Sequence, residues 1–172
     1  MRAVLNVAPA ISRAYCTHAA LWPQRMDLAL DIKETVHQFM SQLKTYIVED
    51  SPVIRESLIA TLEELVPLDV VGTAEDESTA VQWLAQPGNQ CDLVIVDIFL
   101  KAGSGLGVLR ASNEYPHHYT TVVLSNYATK DMRRKCMELG ADRVFDKSNE
   151  IDALILYCNR LADGDTGNGA LT

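Results

Sequence analysis

The chain has 172 residues, 48% of them hydrophobic and 22% charged, with a net charge of −8 at pH 7; this fits one soluble globular domain with some tail. The acidity argues against unassisted nucleic-acid binding, which draws affinity from a basic face, and no apolar stretch reaches the length of a membrane span. Cys16, Cys91, Cys136 and Cys158 form no C-x-x-C pair, which suits buried thiols in a reducing cytosol rather than a zinc site or a disulfide framework.

Residues 1–43 differ from the rest of the chain. They hold four Lys and Arg against three Asp and Glu, leaving eleven basic and twenty acidic residues for the remainder. Met1 to Met26 carries Arg2, Arg13 and Arg25 without an acid, a composition like that of an organelle presequence. Two other readings stay open. One is an upstream extension of the reading frame, with the working start at Met26 or Met40. The other is a short accessory helix using Leu28, Ile32, Val36, Phe39, Met40 and Leu43. The segment is too short for its own core, so we expect a helical or poorly ordered extension over 1–43.

From Lys44 onward, strand and helix patterns alternate. A first strand spans about 44–49, and Ser51-Pro52 gives an N-cap followed by proline in the first helical turn. That helix is expected to show Val53, Ile54, Leu58, Leu62 and Leu65 on one side and to end near Pro67. A second strand over 69–73 precedes a helix from about Asp76 to a stop at Pro87-Gly88. The third strand is Leu93 to Asp97, followed by a glycine-rich loop over 101–105 and a helix carrying Leu106, Val108 and Leu109. The fourth strand covers 120–125, and its helix runs from about Thr129 to Leu139, closed by Gly140 at the C′ position. A fifth strand over 142–146 and a fifth helix over 149–161, with Ile151, Leu154, Ile155 and Cys158 inward, complete the domain at 44–162. Residues 163–172 are a polar glycine tail expected to be flexible.

Five strands, each followed by a helix, predict an α/β fold: a doubly wound parallel sheet with helices on both faces. Right-handed crossovers leave few topologies, and the flavodoxin-like order 2-1-3-4-5 fits best. Its switch point falls between the first and third strands, which end in Glu49-Asp50 and Asp97, and the fifth strand runs into Lys147. Ligands of open α/β sheets bind beyond the carboxyl ends of the strands. Three acids and a lysine gathered there would suit a divalent cation and a phosphoryl group.

Plainer roles exist for each residue. Asp50 or Ser51 could be only a helix N-cap, Lys147 a solvated turn residue, and Ser125 a structural strand terminus. The run Gly103-Ser104-Gly105-Leu106-Gly107 is no dinucleotide loop, because Val108 stands where G-x-G-x-x-G requires glycine, and nearly ten residues are expected between Asp97 and the helix. No G-x-x-x-x-G-K-[ST] is present. His117-His118 reads as a solvated pair before the fourth strand.

Taken in order, Y-I-V-E-D-S-P at 46–52, D-L-V-I-V-D at 92–97, G-x-G-L at 103–106, L-S at 124–125 and D-K at 146–147 resemble a response-regulator receiver domain of two-component signalling, of the single-domain, chemotaxis-regulator type. The resemblance spans about 44–162. It implies Asp97 as phosphoacceptor, and Asp50 as direct and Glu49 as water-mediated ligand of Mg²⁺. It adds Asp97 itself and the backbone carbonyl of Phe99 to the metal site, and gives Lys147 and Ser125 the phosphoryl oxygens. Without a cation, the clustered carboxylates would raise one another's proton affinity and repel an incoming phosphate.

Three positions depart from the family pattern. Lys101 stands where receivers often have proline, so the loop after Asp97 is expected to be looser or differently bent. Asn126 follows Ser125 where a small residue is usual. Val144 occupies the often aromatic position three before Lys147, and Phe145 has the opposite strand parity and cannot replace it.

The resemblance implies a cytoplasmic signalling phosphoacceptor, not an enzyme beyond self-phosphorylation from small phosphodonors and slow self-dephosphorylation. A histidine kinase or phosphotransfer protein would supply the phosphate. An unknown downstream protein would read the changed surface, with no direct nucleic-acid or membrane contact, since nothing after Leu161 has room for a DNA-binding or catalytic domain. A basic patch of Lys130, Arg133, Arg134 and Lys135 marks a candidate face. By resemblance the fourth helix, fifth strand and fifth helix could also form a homodimer. The alternative is a pseudo-receiver, never phosphorylated, acting as a constitutive protein-binding module. A haloacid-dehalogenase-type phosphatase is disfavoured because Asp97-Ile98-Phe99 lacks that family's second aspartate.

Overall fold

A computed structural model of the chain describes residues 42–114 and 118–164. Nearly all of the expected N-terminal extension, with Cys16, lies outside the described residues, as do His117 and the tail beyond Gly164. The described elements are β1 (Leu43–Val48), α1 (Pro52–Leu65), β2 (Leu68–Ala74), α2 (Glu77–Leu84), β3 (Leu93–Val96), α3 (Gly105–Asn113), β4 (Thr120–Ser125), α4 (Lys130–Glu138), β5 (Arg143–Asp146) and α5 (Ile151–Ala162). The five strands are parallel and ordered β2-β1-β3-β4-β5, as expected from the alternation of patterns.

Central strands of a parallel sheet are covered on both faces, so their residues are apolar without interruption. Tyr46, Ile47, Val48 and all of Leu93–Val96 are buried. Alternation then sorts them by face. Ile47, Ile95, Val122, Leu124 and Phe145 pack with Leu58 and Leu62 of α1 and Leu154 and Cys158 of α5. Tyr46, Val48, Val94 and Val96 pack with Ala80 of α2 and Val108 of α3. Val123 and Val144 join Leu109 of α3 and Cys136 of α4 on that same side. Burial pushes the Cys158 thiol up to about 12 and raises that of Cys136, as the sulfur of a core residue should behave.

On the second face Tyr46 stacks on Trp83 with ring centroids 3.9 Å apart and planes 9° from parallel. Gly72 makes room for this pair, since a Cβ there would stand 3.1 Å from the Tyr46 ring. The β1–β2 register also shifts between Thr45 and Tyr46.

Helix starts follow their caps. Ser51, Asp76, Ser104 and Thr129 each accept a backbone N–H from the first turn of the helix they precede. Gly140 closes α4 at φ 95°, a left-handed conformation that glycine adopts without Cβ strain.

Two expectations are corrected. Val53 is 74% exposed, and Ile54 and Leu65 are also exposed, so only Leu58 and Leu62 of the expected apolar side of α1 are buried. Val53 and Ile54 instead line an open groove with Leu58, Leu124, Lys147 and Ile151. The second correction concerns α3, which begins at Gly105 directly after its Ser104 cap. Gly105, expected in the loop, is therefore helical, and residues 98–104, rather than nearly ten residues, separate Asp97 from the helix.

Candidate functional site

The carboxyl ends of β1, β3, β4 and β5 lie side by side, and backbone hydrogen bonds carry the alignment one residue further. Glu49 N donates to Ala74 O at 2.9 Å, Asp97 N to Val48 O at 2.9 Å, and Lys147 N to Ser125 O at 3.2 Å. Residues that immediately follow strands in the sequence are thereby set along one edge. Glu49, Asp97 and Ser125 are all buried there.

At this edge Lys147 Nζ donates to Glu49 Oε2 at 2.5 Å and to Asp97 Oδ2 at 2.6 Å. One ammonium thus serves two buried carboxylates, which would otherwise repel at short range. Asp50 is half-buried beside them, and no ion pair reaches it among the described residues. Glu49, Asp50 and Asp97 each offer one oxygen, and these oxygens lie within 4.8 Å of one another. Three carboxylates against one ammonium leave a negative excess that a divalent cation would neutralise. An all-oxygen donor set of this kind suits Mg²⁺ or Ca²⁺.

The other expected residues are near. Phe99 N donates to Asp97 Oδ1 at 3.4 Å, a long contact, and the residue is 59% exposed. Its ring meets Tyr127 edge-on, with centroids 6.0 Å apart. Ser125 Oγ accepts from Tyr127 N at 3.5 Å. Of the alternatives left open for the 50–51 turn, Ser51 is the N-cap, accepting from Ile54 N at 3.5 Å.

Several supporting residues are not announced by the sequence. Arg55 donates to Glu49 O at 2.9 Å and to Glu75 Oε1 at 3.2 Å, holding the turn that carries both acids. Arg133, expected to be part of a basic patch, is instead engaged internally. Its guanidinium donates to Ala128 O at 2.9 Å, Val144 O at 2.5 Å and Glu150 Oε2 at 2.6 Å. It thereby joins the loop after Ser125 to β5 and to the start of α5. The hydrogen bond from Arg133, followed by that from Asp146 N–H, holds Glu150 below the usual carboxylate range. Lys130, Arg134 and Lys135 remain exposed on α4.

The departures from the family pattern also have visible settings. Lys101 is exposed in the 98–104 loop, which is closed by Gly105 N donating to Ile98 O at 2.9 Å. Asn126 is exposed and accepts from Ser148 Oγ at 3.4 Å. Val144 packs on the α3–α4 side, whereas Phe145 packs on the α5 side and meets Tyr157 at 5.9 Å. The ring on β5 therefore faces away from α4. His118 is exposed.

Comparison with known proteins gives the same picture. The response regulator receiver domain family matches residues 45–159. A probable transcriptional regulatory protein of Picosynechococcus sp. is 30% identical over 143 residues, covering 78% of this chain and 55% of that protein. The transcriptional regulatory protein CitB of Klebsiella pneumoniae matches over 51% of this chain and 38% of its own length at 29% identity. The chain thus spans about half, or less, of these curated relatives. Among solved structures, the signal receiver domain of the response regulator NarL from Mycobacterium tuberculosis superposes with a TM-score of 0.64 at 18% identity, covering 72% of this chain and 98% of that one. A response regulator from Burkholderia pseudomallei, solved with a phosphorylated aspartic acid, a calcium ion and citrate, gives a TM-score of 0.57 at 19% identity over 70% of this chain and 69% of that one. At such identities the likeness concerns the fold.

Proposed function

Because the chain belongs to the response regulator receiver domain family, we propose that it is a phosphorylation-dependent switch, taking a phosphoryl group on Asp97 from a histidine kinase or a phosphotransfer protein with Mg²⁺ bound alongside. An Asp97 carboxylate oxygen attacks phosphorus and the donor's phosphorus–nitrogen bond breaks. Its electron pair returns to the imidazole, leaving an acyl phosphate on Asp97. Asp50 directly, Glu49 through water, Asp97 and the Phe99 carbonyl would hold the cation, which when bound offsets charge on the transferring group.

The observation that carries this reading is Lys147 Nζ lying against both Glu49 and Asp97, beside an Asp50 with no ion pair among the described residues. An ammonium already on the acceptor carboxylate has only a short distance to move to a phosphoryl oxygen. The Ser125 hydroxyl donates to a second oxygen. The related fold from Burkholderia pseudomallei, with its phosphorylated aspartate and oxygen-seeking cation, supports the chemistry. Exposed Val53 and Ile54, in a groove with Leu58, Ile151 and Lys147, give an incoming donor helix an apolar seat next to the acceptor.

The output is a changed protein surface rather than turnover. Movement of Ser125 toward the phosphate pulls the loop that Arg133 ties to β5 and α5, shifting an existing equilibrium of the α4–β5–α5 face. That face, with Met137 and Leu156 exposed, is the proposed contact for a downstream protein or a second copy. Residues 44–162 form the working unit, and its free thiols support a cytoplasmic setting. No helix among the described residues is long and apolar enough to cross a membrane.

Incubation with acetyl phosphate and Mg²⁺, followed by intact-mass measurement, tests the reading. One added phosphate, absent in Asp97→Asn, is the expected result. No addition under conditions that label a known receiver favours the pseudo-receiver and ends the proposal.

A further inference from the structure

The run Gly103-Ser104-Gly105-Leu106-Gly107 is no nucleotide loop, and the phosphoryl chemistry does not explain its glycine content. The structure shows what two of the glycines admit: a carboxylate from the preceding helix. Glu77, the first residue of α2, accepts a hydrogen bond from Ser104 N on Oε2 at 2.8 Å. Its own backbone N–H donates to Ala102 O at 3.1 Å. Gly103 has φ 79°, and a Cβ there would stand 2.5 Å from the Glu77 side chain. A Cβ on Gly107 would overlap the Glu77 carboxylate itself. Gly105 serves a different contact, since a Cβ there would overlap the backbone carbonyl of Asp97.

The 98–104 loop is therefore held from two sides. Ile98 O accepts from Gly105 N at 2.9 Å and from Ser104 Oγ at 3.3 Å, while Glu77 takes the Ser104 amide. Phe99 sits within this loop, bridged to Ser104, and Asp97 opens it. Lys101 stands in the loop where receivers often have proline, so no fixed φ stiffens that position. A hydrogen bond from a backbone amide to a carboxylate is among the stronger kinds, and it closes the loop here.

We propose that Glu77 is a positioning residue for the Asp97 site, holding the 98–104 loop so that the Phe99 carbonyl and the Asp97 carboxylate keep the spacing a cation requires. This rests on the reading of Asp97 as a phosphoacceptor beside bound Mg²⁺. Residues that orient metal ligands typically change affinity by about 10–100-fold when lost, and Glu77 acts through a loop, so the lower end applies.

The test uses the full chain as wild type, Glu77→Gln, Glu77→Ala, Gly107→Ala and the double variant Glu77→Ala/Gly107→Ala. Metal-free hydrogen exchange is read at the Ser104 amide, and Mg²⁺ affinity by calorimetry. Glu77→Ala should speed Ser104 exchange and weaken Mg²⁺ by about tenfold, while amides of β2 and α5 stay as they were. Glu77→Gln, which keeps an acceptor oxygen at the same reach, should restore most of both.

Gly107→Ala sharpens the test, and carries it alone if Glu77→Ala does not fold. Alanine favours a helix over glycine, which offsets part of the clash, and a purely structural Glu77 predicts at most a change in stability with unchanged Mg²⁺ affinity. Displacement of the carboxylate instead predicts weaker Mg²⁺ binding, and a double variant no worse than either single one. Unchanged affinity in a protein whose Ser104 amide has been freed overturns the proposal. Wild type that neither binds Mg²⁺ nor takes phosphate from acetyl phosphate overturns the underlying reading instead, before any substitution is made.

Discussion

Acids stand at both edges of this sheet, and their surroundings are opposite. At the amino edge, Asp92 Oδ2 accepts from Lys44 N at 2.9 Å and Asp142 Oδ2 accepts from Thr121 N at 2.7 Å. Each precedes a strand and caps an N–H of the neighbouring strand. At the carboxyl edge the strands end in carbonyls, so Glu49 and Asp97 find only long amide contacts, at 3.2 and 3.4 Å, and share Lys147. Position relative to the strand separates these four acids. Asp92 and Asp142 are satisfied by backbone, whereas Glu49 and Asp97 are left for a cation.

The largest expected effect breaks the carboxyl edge outright. Asp97→Asn should abolish phosphate uptake in the intact-mass assay, while the melting temperature without Mg²⁺ stays level or rises, because a like-charge contact is removed. A fall of many degrees would mean that Asp97 acts as a structural acid like Asp142. Next is Lys147→Met, which leaves Glu49 and Asp97 buried without their ammonium. A loss of about 3 kcal/mol is expected in urea unfolding at pH 7, and saturating Mg²⁺ should recover part of it by binding the folded state. Absence of any recovery would count against a cation site.

Breaking the amino edge should matter less. Asp142→Ala frees one strand amide, for about 1–2 kcal/mol, with Mg²⁺ affinity untouched; a weakened affinity would show that the edges are coupled. The smallest effect concerns Glu150, an acid served by both an amide and a cation, Asp146 N–H and Arg133. Its folded pKa is depressed, so its contribution is present above the unfolded carboxylate value and lost as pH falls through the folded one. Glu150→Gln should therefore lower neutral stability by about 0.5 kcal/mol for this partly exposed pair and flatten the acid side of the pH–stability curve. Equal slopes in the two proteins would remove Glu150 from the account.

The fold was legible because its determinants are local or periodic. Uninterrupted apolar runs marked the buried strands, and Ser51-Pro52 and Gly140 punctuated the helices. The acids and Lys147 were legible because they sit at strand ends, where topology fixes their neighbours. Arg55, Glu77 and Arg133 were not, for a common reason. Their key partners include backbone groups (Glu49 O, Ser104 N and Val144 O), which every residue possesses, so no pattern of side chains announces them. The exposure of Val53 and Ile54 was hidden differently, since helical spacing gives the apolar face of a helix but not how much of it the neighbouring elements cover.

The bond from Lys147 to Glu49 joins positions 98 apart in the chain. A growing polypeptide that has completed only its first three strands already holds Asp97, yet lacks the ammonium that steadies it. On the proposal that Asp97 takes the phosphate, competence to be marked thus arrives with the last strand. On that proposal, copies that stop before Lys147 stay silent, and the switch answers only once its fifth strand is in place.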